Sequence, residues 1–174
     1  MPDATQQSSP TLDFGALRAA QLEPWLGHLY GNRFGSVVAI KSQMGERDSL
    51  GQAPFFGADG QALESALAAL EWGSNNWCGI VLELSDEQTL SPEVLRLLIE
   101  IIDPVALLVL DERALDALKL GYKGELLPDT IKPGVKIRLL GRAVVFVDGF
   151  EEALASKTEE ARRRVWRELK ALKP

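Results

Sequence analysis

Residues 91–111 read SPEVLRLLIEIIDPVALLVLD, and this stretch decides the class of fold. Ser91 can accept from the free amides of a first helical turn, and Pro92 has its φ already set for the first helical position. Leu95, Leu97, Leu98, Ile101 and Ile102 give the helix its apolar content, and Pro104 stops it. Val105 to Leu110 then runs without a polar residue. An unbroken apolar run of this length is the pattern of a strand buried on both faces, as in a parallel sheet. Asp111 is placed to cap the next helix, which ends near Leu120-Gly121.

The same alternation continues outward. Val37 to Ile40 and Trp77 to Leu84 are further apolar strands, and Gln61 to Trp72 between them carries Ala62, Leu63, Ala66, Leu67 and Leu70 at helical spacing. Gly73-Ser74-Asn75-Asn76 ends that helix. Lys41 to Gly60 holds Gly45, Gly51, Gly57, Gly60 and Pro54, so a long loop is expected there, and loops of this length usually carry function. Downstream, Tyr122 to Gly134 is a Gly- and Pro-punctuated excursion. Val135 to Leu140 and Ala143 to Val147 are strands, and Glu151 to Leu172 is one amphipathic helix. Near the start, Asp13 caps a helix with Phe14, Leu17 and Leu22, and Pro24 breaks it. Residues 1–10 are expected to form a disordered arm and residues 11–174 a single domain. The expected fold class is α/β, a three-layer α/β/α sandwich on a mainly parallel sheet of four or five strands. In such sheets ligands bind beyond the carboxyl ends of the strands, which points to the loops that begin at Lys41, Asp111 and Asp148.

Composition narrows the function classes. The chain has 174 residues, 46% hydrophobic and 25% charged, with a net charge of −6. An overall negative field argues against a protein held to nucleic acid or anionic membrane by its total charge. From Ala155 onward, however, seven basic residues face three acidic ones, so Arg162, Arg163 and Arg164 are candidate phosphate contacts, set against simple complementation of the helix dipole. Cys78 is the lone cysteine and His28 the lone histidine, which leaves no thiolate cluster or His-rich metal cage. No metal site and no cofactor are therefore expected. No apolar run spans a bilayer, and residues 1–10 lack a signal-peptide pattern. A soluble cytoplasmic protein with no membrane partner is the expectation.

Several stretches together resemble the uracil-DNA glycosylase superfamily, closest to its bacterial iron-sulfur branch. Val37-Val38-Ala39-Ile40, a loop reaching Gly45, and Pro54-Phe55-Phe56-Gly57-Ala58-Asp59-Gly60-Gln61 are similar to that branch's strand, first motif loop and Pro-Phe-Val-Gly-Xaa-Xaa-Gly-Gln segment. Leu97 to Ala114 resembles its helix, proline and third strand. Val144 to Leu154 takes the place of its strand and His-Pro-Ser motif, and Trp166, Leu169 and Leu172 resemble its closing helix. The resemblance implies the fold and a chemistry: a carboxylate beneath a cationic sugar, a neutral donor to the departing uracil anion, an aromatic face for the flipped base and an amide that reads it.

This chain departs from most of that set. Ser42 stands where the carboxylate is implied. Asp148-Gly149-Phe150 replaces the histidine motif, putting an anion where a neutral donor is needed. The uracil-reading amide falls at about Gly79, with Asn75 and Asn76 just upstream. Cys78 alone remains of four cluster cysteines. Phe55 matches.

Three readings follow. The first is a glycosylase-like pseudoenzyme that acts as a binding or accessory module in DNA metabolism, its partner DNA or a DNA-processing protein. The second is an active DNA glycosylase with a rearranged site: Asp148 or Glu46 manages the water, Phe55 stacks the base and Asn75 or Asn76 reads it. The third is an α/β protein-interaction domain with no nucleic-acid role. Each residue also has a plain structural reading. Phe55 and Phe56 plug a loop onto the core, Asp148-Gly149 is turn or cap chemistry, Glu46 belongs to a solvated loop face, and Cys78 is an inert core thiol.

Overall fold

A computed structural model of the chain describes residues 13–45 and 53–174. Two expectations, the 1–10 arm and the role of Glu46, fall outside the described residues.

Four parallel strands form the centre of the sheet: β2 (Val37–Gln43), β3 (Trp77–Ser85), β5 (Ala106–Val109) and β7 (Arg142–Phe146). Their registers fix Val37 beside both Trp77 and Ala106, and Ala106 beside Ala143. Three short antiparallel strands complete the sheet among the described residues. Two pair with β3, namely β1 (Leu29–Gly31) and β4 (Gln88–Thr89); β6 (Ile137–Leu139) pairs with β7. The order is β1-β3-β2-β5-β7-β6, with β4 also on β3. The class is α/β with a mixed, mostly parallel sheet. Its seven strands correct the expected four or five: β6 lies within the expected Val135 to Leu140 strand, whereas β1 and β4 are only three and two residues long and leave no alternation to read.

Successive strand residues point to opposite faces, and both faces are apolar, which is why the strands read as continuous hydrophobic runs. Val38, Ile40, Cys78, Ile80, Leu107 and Val109 pack on one side. There they meet Leu22 of α1 (Phe14–Leu22), Leu95 and Leu98 of α3 (Pro92–Ile102) and Leu115 and Leu118 of α4 (Glu112–Gly121). Val37, Ala39, Val81, Leu108 and Val145 pack on the other side. Their partners are Leu63 and Leu67 of α2 (Ala58–Ala69), Phe150 of α5 (Phe150–Ser156) and Val165 and Leu169 of α6 (Glu159–Leu169). Helices therefore cover both faces.

The expected caps form: Asp13, Ser91 and Asp111 accept from the amides of Ala16, Val94 and Ala114. The closing helix is not continuous. Lys157 adopts φ 55°, and Thr158 starts a new helix by accepting from the Ala161 amide. The 122–134 excursion keeps Tyr122 and Ile131 in the core half of α3 and α4. It is pinned there by the Tyr122 hydroxyl donating to Glu100 and by Arg96 of α3 pairing with Glu125.

Candidate functional site

The chain leaves β2 toward β3 on one side and later returns to β5 on the other, so the order reverses between β2 and β5. Open α/β sheets place their ligand crevice at the carboxyl ends of such a pair. Here those ends carry Lys41, Ser42 and Gln43 on one strand and Leu110 and Asp111 beyond the other. With Glu151 of α5 they line a recess of about 80 Å³, well below the ~300–1,000 Å³ of ordinary ligand pockets.

Side chains of the protein fill the crevice. Lys41 is 1% exposed. Its ammonium donates to Asp59 Oδ2 at 2.7 Å and to Glu151 Oε1 at 2.8 Å. The same ammonium sits over the Phe55 ring, 4.5 Å from its centroid. Burying a charge in this way requires paired carboxylates, since an unpaired ammonium would lose its hydration with nothing in return. Burial raises the Glu151 carboxyl above the ordinary range; Lys41 pulls it the other way, and neighbouring Asp59 adds to the rise. Asp111 closes the other wall: Oδ2 accepts from the Ser42 amide at 2.8 Å while Oδ1 caps α4.

Phe55 is 1% exposed, with its backbone in the left-handed region at φ 60°. Its ring meets Trp77 edge-on at 5.5 Å between centroids. Two glycines permit this position. A β-carbon on Gly79 would stand 2.5 Å from Phe55 Cδ2 and Cε2, and one on Gly60 would stand 1.8 Å from the Phe55 carbonyl oxygen. The loop-plug reading therefore describes Phe55. Phe56, expected to share that role, is 57% exposed.

The other candidates are dispersed. Asp148 is exposed in the turn after β7, where its amide donates to Glu168 and its carbonyl accepts from Arg164. The cap of α5 is Gly149, not Asp148. Asn76 has a structural task, its amide group donating to the Trp72 carbonyl and its Oδ1 accepting from the Ser36 amide. Asn75 is exposed; its backbone amide donates to Glu64. Both asparagines precede β3 and lie at the amino ends of the strands, whereas Asp148 follows β7 at the carboxyl ends. At ~4.8 Å per strand, β3 and β7 alone are roughly 14 Å apart laterally. The structure does not bring Asp148 to either asparagine.

On α6, Arg163 pairs with Glu159 and Arg164 with Glu168; Arg162 is exposed. Burial pushes the Cys78 thiol up to about 12, as expected of an inert core cysteine. Sequence reasoning missed Lys41, Asp59 and Glu151 as a cluster. The available signal was a lysine directly following the apolar run of a buried strand.

A larger cleft, about 750 Å³, lies elsewhere, between α2 and the edge strand β1, with Phe55 and Trp77 at its base. Among the described residues no group of three or more His, Cys, Asp or Glu could hold a metal ion, and no helix is long and apolar enough to cross a membrane. Fold and crevice thus define an α/β protein whose switch-point site is occupied by its own buried ion cluster. Compared with models of known families and with curated proteins, the chain matches none.

Proposed function

We propose that this chain is a uracil-DNA glycosylase-like domain that retains the scaffold without the cleavage chemistry and acts as a binding or accessory module in DNA metabolism. The observation that carries the reading is the state of Phe55. A flipped base needs a free aromatic face, and this ring is buried with an ammonium over it. The amide that would read the base falls in the resemblance at Gly79, where any side chain would collide with the same ring. Ser42 has no charge to set beneath a cationic sugar. Asp148 would oppose a departing anion, and it lies in an exposed turn. The distance between Asp148 and the asparagines favours this reading over an active site rearranged around them.

The test is to incubate the purified full chain with single- and double-stranded DNA containing uracil and to measure abasic sites and binding together. No abasic sites above the protein-free control, with binding that weakens as salt rises, is the expected result. Changing Arg162, Arg163 and Arg164 to Gln should lower the salt slope by roughly one for each arginine that touches phosphate. Abasic-site formation overturns the reading. Absence of any salt-dependent binding moves the protein to the interaction-domain class.

A further inference from the structure

The cleft beside β1 has a chemistry unlike that of the closed crevice. One wall is α2, which presents Gln61 and Glu64; the opposite wall is Tyr30 and Gly31 of β1; Phe56 stands at the rim. The Glu64 carboxylate is held in place by two neutral donors. Oε2 accepts from the Trp77 indole at 2.6 Å and Oε1 from the Asn75 amide at 2.9 Å. Neither donor cancels its charge, and among the described residues Glu64 makes no ion pair. It is also the one ionisable carboxylate or cation among the described residues lining the cleft.

A fixed, partly buried anion beside aromatic rings favours one kind of guest. Ring faces and carboxylate both attract positive charge, and both repel phosphates and carboxylates. A bare metal ion would need several oxygen ligands, which one carboxylate between aromatic rings does not offer. An organic cation satisfies both parts: its charged head approaches Glu64 while its alkyl stem lies against Tyr30 and Phe56. We propose that this cleft binds an organic cation of the alkylammonium class. The inference rests on the cleft alone and is independent of the glycosylase-like reading.

Amide chemical shifts of Tyr30, Gln61 and Asn75 provide the readout. The full chain is titrated with choline, with N-acetyl-lysine methylamide, and with 3,3-dimethylbutanol, the uncharged counterpart of choline. One or both cations should shift these amides, and the neutral alcohol should bind about tenfold more weakly or not at all. Tighter binding of choline assigns a free quaternary ammonium as ligand; tighter binding of the lysine derivative assigns a basic side chain of a partner. Phe56→Ala removes an exposed ring and Gln61→Lys adds a competing cation. Both changes are at exposed positions, and each should weaken binding at least about fivefold. Asp116→Asn, on the exposed side of α4, should leave binding unchanged. Equal binding of the neutral alcohol, no response to either cation, or wild-type binding by Gln61→Lys overturns the proposal.

Discussion

Lys41 holds the crevice shut. Its ammonium is the common partner of Asp59 and Glu151, so removing it leaves the Asp59 carboxylate buried without a counter-charge. Lys41→Met should destabilise the fold by about 3–5 kcal/mol, read from denaturant midpoints, and adding Asp59→Leu should recover most of that loss. Glu151 gives a pH signature of definite sign. Its carboxyl is raised above the ordinary carboxyl value of 4.5, chiefly by burial. The folded state therefore keeps a proton that the unfolded chain releases, and this group's contribution to stability falls as pH rises through the window above 4.5. Glu151→Gln should gain on the wild type between about pH 4 and about pH 7, both midpoints being measured at each pH. A Gln variant that loses ground to the wild type as pH rises over that range would contradict the assignment. At this scale the sequence was partly legible. Phe55 stood out by its motif, but Lys41 did not, because its partners lie 18 and 110 residues away and no local pattern joins them.

At the scale of elements, the long helices and the four parallel strands were legible because each has a capping residue or an unbroken apolar run. Boundaries were not. β2 continues through Lys41, Ser42 and Gln43, residues whose polarity suggested a loop, because pairing with β3 satisfies their backbone. The closing segment read as one helix, since its apolar spacing carries across the break. The break itself lies in the backbone of Lys157, which occupies the left-handed region at φ 55°. That conformation costs a non-glycine residue about 1 kcal/mol, and glycine is the residue that usually ends a helix this way. Lys157→Gly should therefore raise stability by about 1 kcal/mol with the two helices unchanged, as thermal unfolding and circular dichroism would show. A loss of stability would mean that the lysine side chain matters more than its backbone.

For the whole molecule, the topology sets the place of the crevice and the side chains decide what it can do. Strand reversal between β2 and β5 creates the expected opening, and four residues distant in sequence, Lys41, Phe55, Asp59 and Glu151, fill it. A fold class can be read from periodicity because every helix and strand reports its own burial. A closed site depends on which loop residues meet in space, so it became visible only in three dimensions. With its charges paired internally, the crevice stays closed whatever the domain binds. The most direct measurement is heteronuclear NMR of the Lys41 ammonium and its cross-peaks to the Phe55 ring, recorded with and without single-stranded DNA containing uracil. A slowly exchanging ammonium signal is expected, its contact with the ring unchanged by the DNA. Disappearance of that contact on addition of DNA, with the Phe55 ring shifting as a base stacks on it, would contradict it.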